Sequence, residues 1–121
     1  MHTINNEQLN EFEVEILKRM LSEFITFSEI AIEQVNSADI TRDKSPCFCI
    51  TKFYINSKTK IPPLPERVPL RIEIRRENLA PLIVLLHIKD GVVYELEYFN
   101  ADSSEMDLDV LKNYYELILE I

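Results

Sequence analysis

The chain has 121 residues, 46% of them apolar and 28% charged, with a net charge of −8, which is the profile of one globular domain, residues 1–121, built on a single hydrophobic core. A surface of that sign repels nucleic-acid and membrane phosphates, so direct binding to either is not expected. No apolar run approaches the roughly 18 residues a bilayer span needs, and the opening Met-His-Thr-Ile-Asn-Asn-Glu lacks the basic and apolar stretches of a signal peptide; a cytoplasmic protein is expected.

The first element is a helix over "LNEFEVEILKRMLSEF". Asn10 caps it and Glu13, three residues on, reaches back as the second half of a capping box, with Leu9 and Val14 placed to form a hydrophobic staple. Ile16, Leu17, Met20, Leu21 and Phe24 recur at helical spacing and make one apolar stripe. A shorter helix runs from Ser28 as cap through Ile30, Ala31 and Val35 to Asn36-Ser37. Residues 38–46 are polar, end in Pro46, and read as a loop.

From Cys47 the period changes to two, with Cys47, Cys49, Thr51, Phe53 and Ile55 on one face and Phe48, Ile50, Lys52 and Tyr54 on the other. The two thiols are one residue apart, where a disulfide would close a strained ring, so both are expected reduced and facing the core. The exposed edge of this 47–55 strand is open to pairing with a second copy of the chain, which makes a homodimer an expectation to check. "NSKTKIPPLPER" is a proline-bearing loop. "VPLRIEIRR" alternates, with Val68, Leu70, Ile72 and Ile74 inward and Arg71, Glu73 and Arg75 outward. "APLIVLLHI" is almost wholly apolar, as a central strand would be.

Asp90-Gly91 is the strongest hairpin signal in the chain, and Gly91 is its one glycine. A two-residue turn there sets His87 opposite Tyr94, Leu85 opposite Leu96 and Ile83 opposite Tyr98, all on the core face. Glu95 and Glu97 then face outward. "NADSSEMD" is a polar loop, and the tail from Leu108 fits a helix at least through Tyr115, although "YELILEI" alone also fits a strand. These elements add up to an α+β fold, in which N-terminal helices pack on one face of a mainly antiparallel sheet of four or more strands.

Chemistry-bearing groups are sparse. His87 could serve as a base or a metal ligand, but no nucleophile or orienting acid accompanies it at a recognisable spacing, and a locally hydrogen-bonded histidine is the simpler reading. Cys47 and Cys49 lack the second ligand pair of a zinc site, and one glycine excludes phosphate-cradling loops. No catalytic residue, metal or cofactor is expected. Charge is the stronger signal: residues 1–40 carry −6, residues 41–78 carry +5 and residues 79–121 carry −7. The basic centre, including Lys52, Lys58, Lys60, Arg67, Arg71, Arg75 and Arg76, with Phe53 and Tyr54 interleaved, suits a nucleic-acid patch, or else a charge ladder in which Arg71 and Arg75 pair across strands with Glu97 and Glu95. The acids Glu95, Glu97, Asp102, Glu105, Asp107 and Asp109 create a local negative field able to steer a basic protein, with Tyr98, Phe99 or Tyr114 as buried anchors.

The capped helix "NEFEVEILKRMLSEF" and the stretch "VPLRIEIRRENLAPLIVLLHIKDGVVYELEYFNADSSEMD" resemble small acidic bacterial immunity proteins of polymorphic toxin systems, including contact-dependent growth inhibition. The resemblance is one of pattern and charge over under half of the chain. It implies a non-enzymatic protein whose acidic surface blocks the basic cleft of a cognate toxin, often a nuclease. The alternative is a small-ligand-binding domain or small enzyme with a pocket between the helices and the core face near His87 and Tyr94.

Overall fold

The structure is a computed structural model that describes residues 9–24, 28–56, 58–63, 69–75, 78–106 and 118–120. Two helices, α1 (Glu11–Phe24) and α2 (Ser28–Ser37), precede six strands: β1 (Asp39–Lys44), β2 (Phe48–Tyr54), β3 (Leu70–Arg75), β4 (Leu82–Lys89), β5 (Val92–Asn100) and β6 (Ile118–Glu120). The strands form one sheet in the order β1-β2-β5-β4-β3-β6, and every neighbouring pair is antiparallel. The class is α+β, with the helices N-terminal to the sheet.

The start of α1 is built as its sequence dictates. Glu13 N–H donates to Asn10 Oδ1 at 2.8 Å and Asn10 N–H donates to Glu13 Oε1 at 3.0 Å, so the capping box closes in both directions. Leu9 is buried and Val14 packs against the core. Ile16, Leu17, Met20 and Leu21 are buried as one stripe; the side chain of Phe24 lies outside those described. In α2, Ala31, Ile32 and Val35 are buried together with Gln34.

Residues 38–46 are not all loop. Asp39–Lys44 form β1, paired residue for residue with β2 from Asp39 opposite Tyr54 to Lys44 opposite Cys49. Its inward positions are Ile40 and Arg42, opposite the buried Phe53 and Thr51, and an arginine at a core-facing position erases the apolar alternation by which a strand is recognised. β1 therefore covers the edge of β2, and the sheet edge that sequence assigned to residues 47–55 belongs to β1. That edge carries Asp39, Asp43 and Lys44, charges of the kind that discourage edge-to-edge pairing.

In β2, Cys49, Thr51 and Phe53 face inward as expected, while Cys47 lies just before the strand and is exposed. Both cysteines are free thiols. In β3, Leu70, Ile72 and Ile74 are buried and Arg71 and Arg75 are exposed; Val68 lies outside the described residues. The strand β6 pairs with β3, Ile74 opposite Leu119, so the strand reading of the C-terminal residues holds at 118–120. The helix expected up to Tyr115 falls outside the described residues.

The β4–β5 hairpin departs from its expected register by one residue. Asp90 (φ 53°) and Gly91 (φ 79°) make the turn, and Lys89 opposite Val92 and Ile88 opposite Val93 follow. A bulge then intervenes, so that His87 lies opposite Glu95, Leu85 opposite Glu97 and Ile83 opposite Phe99. The extra residue is in β5: Val93 and Leu96 are both buried, and the two residues between them, Tyr94 and Glu95, both turn outward. The core face of the hairpin is accordingly Leu82, Val84 and Leu86 against Leu96, Tyr98 and Asn100. His87, Leu85 and Ile83, expected on the core face, lie on the opposite face, because a one-residue slip moves a whole strand's side chains across the sheet; Ile83 is nonetheless buried there.

Candidate functional site

Three groupings of polar side chains stand out, two inside the fold and one on the outer sheet face. The first is centred on Glu13, whose side chain is fully buried. Its carboxylate takes the Asn10 N–H of the capping box and is gripped by the Arg42 guanidinium through both Nε and Nη2. The Thr51 hydroxyl donates to Oε2, and the Tyr98 hydroxyl approaches the same oxygen at 3.4 Å. Arg42, Thr51 and Tyr98 come from β1, β2 and β5, so one helical carboxylate ties three strands to α1. The Phe12 ring meets Tyr98 edge-on at a centroid distance of 5.2 Å.

The titration behaviour of this cluster follows from its enclosure. Burial pushes the Tyr98 hydroxyl well above its ordinary value, and the Glu13 carboxylate beside it raises it further. Burial likewise raises the Cys49 thiol, against a lowering from its hydrogen bond with Tyr98. For Arg42, burial favours the neutral form, but the hydrogen bond and charge of Glu13 outweigh it and hold the guanidinium above its usual pKa. A carboxylate committed to this many donors has no lone pair left for proton abstraction, and a thiol held protonated is a poor nucleophile. The arrangement is structural.

The second grouping is Gln34, also fully buried. Its Nε2 donates to Thr59 O at 3.0 Å and to Gly91 O at 2.9 Å, and its Oε1 accepts the Val93 N–H at 2.9 Å. Ile61 N–H donates to the same Gly91 carbonyl at 2.8 Å. The hairpin turn is therefore clamped by α2 on one side and by the loop at 59–61 on the other. The loop comes so close that a Cβ at Gly91 would lie 2.8 Å from Lys60 Cβ and 3.0 Å from Ile61 O. The glycine is required for its positive φ and for this approach.

The third grouping is the outer face. Register gives its rows: Phe48, Phe99 and Ile83 across β2, β5 and β4; then Ile50, Glu97 and Leu85; then Lys52, Glu95 and His87. His87 Nε2 lies 3.2 Å from Glu97 Oε1 and 4.0 Å from Glu95 Oε1, so the histidine faces these two carboxylates and not Tyr94. The ladder expected between Glu95, Glu97 and the arginines of β3 is not formed across neighbouring strands. β4 stands between β5 and β3, and the Arg71 guanidinium turns to Glu73 on its own strand at 2.9 Å. Lys52, on β2, is the cation directly opposite Glu95.

The expected partner-binding residues are thus divided. Glu95, Glu97 and Phe99 share the outer face, each half-buried. Tyr98 points the other way and is 1% exposed, so it belongs to the Glu13 cluster and is not a surface anchor. Asp102 and Glu105 are exposed in the loop after β5. There Asp102 Oδ1 accepts the Ser104 N–H and hydroxyl at 3.0 and 2.6 Å, and the Asn100 side chain donates to Glu105 O at 3.0 Å. Asp107, Asp109 and Tyr114 lie outside the described residues.

The bulge places His87 and Tyr94, the residues named for a core-side pocket, on the outer face of the sheet. The basic stretch is dispersed as well, Lys52 on β2 and Arg71 on β3 being separated by β5 and β4. Among the described residues no group of three or more His, Cys, Asp or Glu side chains is placed to hold a metal ion, and no helix is long and apolar enough to cross a membrane.

Sequence reasoning found the capping role of Glu13 but missed Arg42 and Gln34. The signal for Arg42 was its place two residues after Ile40, on the same face of an extended segment, and the signal for Gln34 was a polar residue on the apolar stripe of α2. Compared with family models, with curated proteins and with solved structures, the chain matches none of them.

Proposed function

We propose that this is a non-enzymatic binding protein that neutralises a basic protein partner, an immunity protein blocking a cognate bacterial toxin, with its helices covering the inner face of the sheet and its outer face turned to the partner. The observation that carries the reading is the placement of Glu95 and Glu97 on the outer face of β5, continued by the exposed Asp102 and Glu105, with Arg71 and Arg75 a strand away. Over β1, β2, β5 and β4 the outward charged side chains are Asp39, Asp43, Glu95 and Glu97 against Lys52 and Lys89, with His87 beside Glu97 and with Arg71, Glu73 and Arg75 farther off on β3. A field of that sign attracts a cationic protein and raises its rate of capture. The half-buried Phe48, Ile50 and Phe99 between the acids supply the apolar centre that a tight interface needs within a polar rim.

The test is co-expression with the product of the adjacent gene as candidate toxin domain, followed by calorimetric titration of the purified pair at low and high salt. A complex that protects growth and weakens as salt rises supports the reading. No complex, or one unaffected when Glu95, Glu97 and Asp102 are reversed to lysine, overturns it.

A further inference from the structure

The bulge in β5 places Tyr94 and Glu95 consecutively on one face, at the end of the sheet nearest the Asp90-Gly91 turn. Tyr94 is 41% exposed. On β2, two residues beyond the Lys52–Glu95 pair in the same direction, Tyr54 is 56% exposed on the same face. These are two large rings left in solvent, beside two carboxylates. The Lys89 ammonium sits over the Tyr94 ring at 5.7 Å from its centroid, so the ring already holds a cation by one of its faces.

Resting on the neutralising role above, we infer that this turn end of the outer face, with Tyr54, Tyr94, Glu95 and Glu97, receives an arginine side chain of the basic partner and prefers it to lysine. A guanidinium is planar, weakly hydrated and forked, so it stacks on a tyrosine ring while donating two hydrogen bonds to one carboxylate. An ammonium also sits over a ring, as Lys89 does over Tyr94, but it is a compact, strongly hydrated charge with no planar face to stack and no fork to bind one carboxylate twice. The half-buried position of Glu95 and Glu97 strengthens the distinction, because a less hydrated cation enters a partly dehydrated site more readily. Against Lys52 and Lys89, the four acids Asp39, Asp43, Glu95 and Glu97 leave an excess of negative charge for a further cation, and the rings select which one.

The probes are hexa-arginine and hexa-lysine peptides of equal charge, titrated into the full chain and followed by backbone amide NMR shifts. The expected result is tighter binding of hexa-arginine, with the largest shifts at residues 52–54 and 94–97. A cation over an exposed ring gains roughly two- to fivefold in affinity, and arginine should take the larger share of it. Tyr54→Ala with Tyr94→Ala should remove the preference for arginine, and Tyr54→Phe with Tyr94→Phe should keep it. A control pair on α1 and α2, Glu11→Gln with Glu33→Gln, removes two negative charges away from the rings; it should weaken both peptides alike and leave the preference intact. Equal affinity for the two peptides, shifts centred on the helices, or a preference that survives loss of both rings would each overturn the inference. Its failure is separable from failure of the neutralising role. A toxin domain that binds as well to the Tyr54→Ala/Tyr94→Ala chain overturns the inference alone, and a toxin domain that binds neither chain overturns the role.

Discussion

Glu13 and Arg42, 29 residues apart in sequence, form a two-pronged ion pair inside the fold, and the same carboxylate closes the cap of α1. The pair joins the first helix to the first strand and makes an inward charge tolerable on a sheet edge. Removing one member strands the other in a dehydrated site, which costs about 3–5 kcal/mol. Arg42→Met and Glu13→Gln should each lower stability by about that much in urea unfolding, and the double variant should cost less than the two added together. Simple additivity would show that the two groups do not interact as described.

Gly91 should tolerate no side chain. Its positive φ alone costs an alanine about 1–2 kcal/mol, and the Cβ contact with Lys60 at 2.8 Å adds to it. Gln34→Ala should cost about 1–3 kcal/mol, chiefly by taking the acceptor from the buried Val93 N–H, with one donor lost to each of the Thr59 and Gly91 carbonyls. Urea midpoints for the two single variants and the double measure both effects. Because the substitutions act on one clamp, the double should fall short of the sum, and a Gly91→Ala variant as stable as the parent would contradict the close approach of the loop.

Alkali should weaken the fold through Cys49 and Tyr98. Both native groups hold their proton more tightly than the unfolded chain does, chiefly because burial disfavours the anion. Below the ordinary thiol value of 9.0 both states bind the proton and stability is complete. As pH rises past it the unfolded chain ionises while the native chain cannot, so stability falls, and Tyr98 adds to the loss above 10.0. Urea midpoints between about pH 7 and about pH 10.5 should decline, with the first part of the slope reduced in Cys49→Ala and the later part in Tyr98→Phe. A flat or rising profile would contradict the buried neutral cluster.

The two thiols should also differ in reactivity. Cys47 is exposed and Cys49 buried, so a disulfide reagent should titrate one thiol in the native protein and both in urea. Fast reaction of both in the native state would place Cys49 wrongly.

These tests probe the parts of the molecule that were least and most legible in its residues. The capping box Asn10–Glu13, the stripe of α1, the inward residues of β3 and the Asp90-Gly91 turn could all be read directly, because each rests on residues three or four apart or alternating in sequence. β1 could not, since its inward Arg42 is made acceptable only by Glu13 from a distant helix. Nor could the face of β4. A DG turn sets the register only until an extra residue enters, and nothing in "VVYELEYF" marks Tyr94 as that residue. The candidate site was legible in its charges but not in its orientation: Glu95 and Glu97 do face out, Tyr98 does not, and the arginines offered as their partners belong to a strand that β4 keeps apart.

Capture of a partner by the outer face can be read from hydrogen–deuterium exchange of the chain alone and in complex with the proposed toxin domain encoded by the adjacent gene. Docking on that face should bring new protection over β2 and β5, at residues 48–54 and 94–99, with the helices unchanged. Protection confined to α1 and α2, with β2 and β5 exchanging as in the free chain, would contradict it.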